Sequence, residues 1–242
     1  MKVQLAEKSK TVDNALRLLL ILGEVSSATA LELSRMTGLS RPIVHRLLTT
    51  LHERGFVRRE GSSYSIGFAL LQLADGVEGD IRNAAEPGLN KLSSEFGQTS
   101  ILAAIDGLQS VIMGQQVSQV SLNQVRYPIG FRSSLATGGH SIAILARSKE
   151  AVVDEIIRLC NSDSDRARLE KHLGQARRLG YAFTEDEVRS GTSGLAVPIC
   201  GRHGFAVGSI GLVSPAGRFP DRDSVAAAAR GVADDIEKAL VR

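Results

Sequence analysis

One stretch constrains this chain more than any other: Thr29 to Gly67, where two short amphipathic patterns meet at a glycine and run straight into a basic, alternating segment. Thr29 is the kind of residue whose hydroxyl caps a helix start, and Leu31, Leu33 and Met36 follow at helical spacing. Gly38 stops that helix, because a residue without Cβ enters the left-handed region at little cost. Ser40 offers a second cap, after which Val44, Leu47, Leu48 and Leu51 recur on one face while Arg41, Pro42, His45, Thr49 and His52 lie on the other. Upstream, Val12, Ala15, Leu16, Leu18, Leu19 and Leu22 predict a helix over about 11–22 that ends at Gly23. Downstream, residues 55–67 alternate apolar and polar about Gly61-Ser62 and predict a β-hairpin carrying Arg58 and Arg59.

Two helices joined by a short glycine turn and followed by a hairpin form a winged helix-turn-helix, whose second helix enters the major groove with its first residues at base edges. The candidate DNA contacts are Ser40, Arg41, Pro42, Ile43, His45, Arg46 and Thr49 on that helix, with Arg58 and Arg59 on the wing toward phosphate or minor groove. Charge distribution agrees. Residues 1–75 hold ten Lys/Arg against seven acids, whereas the rest of the chain balances, and the excess concentrates between Arg35 and Glu60. The competing reading is a three-helix packing unit with no nucleic-acid role.

The 242 residues suffice for two modest domains, and 43% hydrophobic with 23% charged residues excludes a disordered, collagenous or disulfide-built chain. With aromatics at 4% and no Trp, stacking platforms for single strands are scarce. Cys160 and Cys200 are far apart and form no Cys-x-x-Cys, so reduced thiols in the cytoplasm are expected, with no metal site. The longest apolar stripe, Ala15 to Leu22, contains Arg17 and falls short of the roughly 20 residues of a membrane span, so no membrane partner is expected. No Gly-x-Ser-x-Gly elbow and no Gly-Lys-Ser/Thr phosphate loop occurs, and Ser193 sits between Gly191 and Gly194 at the wrong spacing. A buried thiol beside a turn histidine describes Cys200 and His203 better than a catalytic pair. The chain therefore reads as a non-enzyme without cofactors. Its alternatives are a sensor or protein-interaction module that does not bind DNA and, more remotely, a hydrolase.

Residues 68–89 pass through Leu70, Leu71, Leu73, Ala74, Val77 and Ile81 before Pro87-Gly88, which predicts a connecting helix closed by a breaker pair. The expected division is a DNA-binding domain over 1–75, a linker helix over 76–88 and a second domain over 89–242. In that last part, hairpins are predicted at 100–117 about Asp106-Gly107 and at 195–213 about residues 201–204, with helices at 141–146, 150–159, 164–179 and 221–240. Hairpins with helices grouped between them imply an α+β domain, one sheet covered by helices.

Residues 30–51, from Ala30-Leu31-Glu32 to Thr49-Thr50-Leu51, resemble the signature of the isocitrate lyase regulator (IclR) family, and Tyr64-Ser65-Ile66-Gly67 resembles its wing end. So do two later blocks, 179–187 and Gly191-Thr192-Ser193-Gly194-Leu195-Ala196-Val197-Pro198-Ile199. The resemblance implies a transcriptional regulator, and because a single winged helix reads only a few base pairs, a homodimer or homotetramer on a near-palindromic double-stranded operator is expected. It also implies a GAF-like effector domain with a pocket for a small organic, often aromatic, acid between the sheet and the helix after residue 138. Three departures stand out. Pro42-Ile43 replaces the Ser-Thr of many members, Ser141-Ile142-Ala143 replaces Gly-Lys-Ala, and Gly211 and Val213 stand where small polar residues are common. Candidate effector contacts are His140, Ser141, Thr184, Thr192, Ser193, Gly194, Gly211 and Val213. The expectation is a largely apolar pocket anchored by a 191–194 turn, favouring an aromatic or longer aliphatic acid whose buried area offsets desolvation. Blander readings make that turn a plain connection and His140 a polar residue at a helix start.

Overall fold

A computed structural model of the chain describes residues 8–75, 79–118 and 124–241, and it divides into two compact units between Gly79 and Asp80. Residues 76–78, the start of the expected linker and the site of Val77, lie outside the described residues.

The first unit opens with α1 (Lys10–Val25), which continues through Gly23 and ends at Ser26 in the positive-φ region. A short strand the sequence did not announce, β1 (Ser27–Thr29), precedes α2 (Ala30–Thr37). Thr29 caps α2 in a reciprocal box with Glu32, and Gly38 closes it at φ 72°. In α3 (Arg41–Glu53), Ser40 holds the cap position in an extended conformation, but its hydroxyl makes no cap bond. The reason is local. Pro42 brings no N–H, and the amides of Ile43 and Val44 both donate to the Ser40 carbonyl at 3.0 and 3.1 Å. The wing is β2 (Val57–Glu60) paired antiparallel with β3 (Ser63–Ile66), and β1 joins its other edge. Leu18, Leu22, Leu33, Val44, Leu47, Leu48, Val57 and Tyr64 form the core. At Gly67 a Cβ would lie 2.1 Å from the Gly55 carbonyl oxygen, so only glycine lets the wing close against the end of α3. Helix α4 (Ala69–Asp75) follows.

The second unit begins with α5 (Gly79–Phe96), and here the expected breaker fails: Pro87 and Gly88 lie inside the helix. Ile81, Ala85, Leu89 and Leu92 are buried at spacings of four and three, in one cluster with Val232, Ala233 and Ile236 of α9 (Arg222–Val241). That packing outweighs the roughly 3 kcal/mol cost of an internal proline. Gly88 is where the helices touch, since a Cβ there would sit 2.1 Å from Val232 Cγ1.

One antiparallel sheet, in the order β6-β5-β4-β9-β8-β7, forms the centre. Its strands are β4 (Thr99–Asp106), β5 (Gln109–Gln116), β6 (Arg132–Ser134), β7 (Ala182–Glu185), β8 (Thr192–Cys200) and β9 (Ala206–Pro215). Both predicted hairpins are present. The edge strands β6 and β7 lack the long alternation that reveals a strand. Alternation splits the core: Leu102, Leu195, Val197, Ile210 and Leu212 pack with α5 and α9, while Ala103 and Ala196 face α6 (Gly139–Ala146), α7 (Glu150–Arg158) and α8 (Asp163–Leu179). Small residues on the second face let α6 approach the sheet backbone, and a Cβ on Gly139 would come within 2.5 Å of the Gly194 carbonyl oxygen.

Candidate functional site

On the first unit, α3 turns Arg41, Pro42, His45, Arg46 and Thr49 to solvent, while Ile43 is half-buried against the core. Thr49 returns its hydroxyl to the His45 carbonyl at 2.9 Å. The wing's arginines are held in place by aromatic rings. The Arg58 guanidinium lies 4.6 Å from the Phe68 ring centre, and that of Arg59 lies 5.7 Å from the Tyr64 ring while its Nε donates to the Gly61 carbonyl at 2.9 Å. His52, at the end of α3, pairs through Nδ1 with the Val57 carbonyl at 3.0 Å and so ties the helix to the wing.

On the second unit, the start of α6 and the strands around it line a partly open cavity. Seven of the eight expected residues line it: His140, Ser141, Thr184, Thr192, Ser193, Gly194 and Val213. Gly211 does not. Its Cβ would stand 1.9 Å from the Leu195 carbonyl oxygen, so its role is to let β9 approach β8. Ile142, at the position of the family's lysine, is fully buried in the core.

The expected 191–194 anchor takes another form. Thr192, Ser193 and Gly194 belong to β8, and Ser193 and Gly194 are paired on one side with β7 and on the other with β9. Gly191 N–H donates to Asp186 Oδ1 at 2.6 Å, Thr192 Oγ1 to the Arg189 carbonyl at 2.6 Å and Ser193 Oγ to Glu185 Oε1 at 3.1 Å. These donors are engaged within the fold.

The polar groups that do converge on the cavity come from elsewhere. Ser110, Ser133 and Ser141 place their hydroxyls in a triangle with sides of 2.9, 2.7 and 3.1 Å. Glu187 accepts the Gly138 N–H at 2.8 Å, just before α6. Its other oxygen lies 3.3 Å from His172 Nδ1 and 3.7 Å from Arg168 Nε. Tyr127 and Phe131, rings 5.1 Å apart, form an apolar wall with Ile101, Ile112 and Val213. Sequence reading missed Ser110, Ser133, Glu187, Tyr127 and Phe131. A serine opening the apolar run Val111-Ile112-Met113 was the one available signal.

His140 donates or accepts through Nδ1 with Ser209 Oγ at 3.1 Å, and its Nε2 is shut off from solvent without a partner. The residue as a whole is half-buried, yet burial of the ring pushes its pKa down to about 4. A base with a depressed native pKa binds a proton more weakly folded than unfolded. Stability should therefore fall as pH drops from about 6.5 toward 4, by about 1.4 kcal/mol per pH unit at most. Urea titrations between pH 7 and 4 should show this slope in the wild type and lose it in His140→Asn. A slope that is the same in both would assign the acid sensitivity to other groups.

No hydrogen bond joins Cys200 to His203 among the described residues; the Cys200 amide donates to Glu237 Oε1 at 2.7 Å. No described helix is long and apolar enough to cross a membrane.

Two family models match the chain: the IclR helix-turn-helix domain over residues 11–61 and the bacterial transcriptional regulator IclR C-terminal domain over residues 77–238. The transcriptional repressor IclR of Escherichia coli is 27% identical over 230 residues, spanning 88% of this chain and 82% of that protein. The HTH-type transcriptional regulator KipR of Bacillus subtilis is 25% identical over 224 residues, spanning 88% and 89%. Among solved structures, an IclR homologue from Microbacterium hydrocarbonoxydans complexed with 4-hydroxybenzoate superposes with a TM-score of 0.83 at 18% identity, covering 96% of this chain and 99% of that one.

Proposed function

This chain belongs to the IclR family of bacterial transcriptional regulators, and from that premise we propose how it divides the work of reading DNA and sensing a ligand. It is a DNA-binding regulator with a C-terminal effector domain. In the proposed assignment residues 1–75 bind DNA, 76–88 connect, and 89–242 hold the effector, all in the cytoplasm and without enzymatic activity. The observation that carries the DNA reading is the exposed row Arg41, His45, Arg46 and Thr49 on α3 beside the ring-supported Arg58 and Arg59. Arg41 and His45, on the first turns of α3, read base edges; Arg46 and the unused Ser40 hydroxyl secure phosphates, and Thr49 joins them only by turning its hydroxyl away from the His45 carbonyl. Pro42 pre-shapes the first turn, and Ile43 offers only its exposed edge to a thymine methyl.

A single winged helix spans few base pairs, so we assign the operator-binding form to a homodimer on half-sites about one helical turn apart. Val12, Leu16 and Leu20, exposed at four-residue spacing along α1, support that reading. Dimers or tetramers are expected in light scattering at micromolar concentration; a monomer with full operator affinity would end it.

Arg41→Ala should weaken operator binding about tenfold to a hundredfold and hardly affect random DNA, by loss of a base contact of about 1–3 kcal/mol. Arg58→Ala should weaken both alike and lower the salt slope by about 1. Mobility shifts at several salt concentrations distinguish the two. Equal losses on both DNAs for Arg41→Ala would move Arg41 to the phosphate backbone. Ligand occupancy of the cavity then shifts operator affinity, and by linkage the operator shifts ligand affinity equally.

A further inference from the structure

Among the exposed apolar side chains of the first unit, Phe68 is the largest: it is 66% exposed, stands just beyond the wing and takes no part in the core cluster. Its backbone is nevertheless fixed. Gly67 N–H donates to the Phe56 carbonyl at 2.8 Å and Ala69 N–H to the Gly55 carbonyl at 3.1 Å, so the residues on both sides of Phe68 are tied to the turn between α3 and β2. A ring placed this firmly and left outside the core has a charged neighbour, the Arg58 guanidinium, which lies over it at 4.6 Å from the ring centre.

Arg58 is restrained a second time, across the hairpin, where its Nε donates to the Ile66 carbonyl at 3.4 Å. Held on its face by the ring and along one edge by the strand, the guanidinium keeps its Nη groups for another partner. Glu60, two positions along on the same face of β2, makes no ion pair with it, and neither does any other acid among the described residues. Arg59 is built differently. The ring beside it, Tyr64, is a buried member of the core, so folding requires Tyr64 whether or not Arg59 meets DNA. The core makes no such demand on Phe68.

A free arginine loses the motion of several rotors when it grips a phosphate, a loss worth a few-fold in affinity. A ring that stacks on the flat face and leaves the edge N–H groups open removes much of that loss beforehand. We infer that Phe68 is a positioning residue for DNA binding: its ring holds Arg58 in the conformation that meets a phosphate, and so sets affinity for any duplex rather than choice of sequence. This rests on the reading of the wing as a DNA contact and goes beyond it in naming what makes Arg58 effective. Because Phe68 directly precedes α4, the placement of the wing's charge is fixed from the start of the helix that leaves the wing.

The test is fluorescence anisotropy of the full chain with a random-sequence duplex at low salt, arranged as a double-mutant cycle of Phe68→Leu and Arg58→Ala. Leucine keeps an apolar side chain and removes the ring. Phe68→Leu should weaken binding about threefold, Arg58→Ala at least as much, and Phe68→Leu added to Arg58→Ala should change nothing further. Phe68→Trp, whose ring is the better partner for a cation, should keep wild-type affinity or exceed it. Phe68→Leu without effect would overturn the inference. So would an equal loss with and without Arg58, which would assign the ring to a direct contact with DNA or with a second copy of the chain. A urea midpoint that falls in step with affinity would assign the effect to folding and overturn it as well. The two readings fail separately: wild-type affinity in Arg58→Ala removes the wing contact and the inference with it, whereas an effective Arg58 beside a silent Phe68 leaves the wing reading intact.

Discussion

Leu48→Ala should unfold the first unit and abolish operator binding while the second keeps its structure. Leu48 is fully buried at the centre of the cluster that joins α1, α2, α3 and the wing. Truncating such a leucine costs about 2–5 kcal/mol, transfer loss and cavity together. A unit this small starts with only a few kcal/mol more than that. Hydrogen exchange on the full chain should show protection lost across α1 to β3 and retained in β4, β8 and β9. Uniform loss in both units would mean that they unfold as one, and undiminished operator binding would mean that the core tolerates the cavity.

Gly211→Val should have a comparable effect on the second unit. The added Cβ would stand 1.9 Å from the Leu195 carbonyl oxygen and 2.6 Å from Ala196 Cα, both backbone atoms of a strand held by partners on each side. No side-chain rotation relieves that overlap, so the cost belongs at or above the upper end of the about 1–3 kcal/mol typical of overpacking. The matched control is Gly194→Ala, whose Cβ meets Val213 Cγ1 at an ordinary 3.5 Å and should leave stability within about 1 kcal/mol. Melting curves of the two variants, with exchange confined to β8 and β9 as the local readout, compare them directly. Were Gly211→Val as stable as Gly194→Ala, the strands would have to part more easily than their spacing indicates.

The contrast between these glycines marks where sequence reasoning stops. Family likeness drew Gly211 among the pocket candidates because it stands, with Val213, where the family often has small polar residues, and of the two Val213 lines the cavity. Only the distance to β8 reveals that Gly211 serves the backbone. The same holds for Pro87-Gly88, a breaker by local rules that α9 overrides by packing against α5.

In the first unit almost everything needed lay in the sequence. The Thr29–Glu32 box spans three residues and the Gly38 amide bonds back to Ser34. The apolar face of α3 follows from the helical repeat alone, and the Ser40 hydroxyl was misjudged only because Pro42 changed which amides needed a partner. Caps, turns and amphipathic faces are written within a few positions of one another because their physics acts over a single turn of chain. The cavity is different. Glu187 reaches an amide 49 positions away, His140 meets Ser209 across 69, and the serine trio gathers β5, β6 and α6. The chain alone determined that a winged helix-turn-helix and an α+β domain would form, and family likeness placed one wall of the cavity at the start of α6. Which polar groups meet there, and that Glu187 takes the Gly138 amide, only the fold decided, because a hydrogen bond is set by distance in space and not by position along the chain.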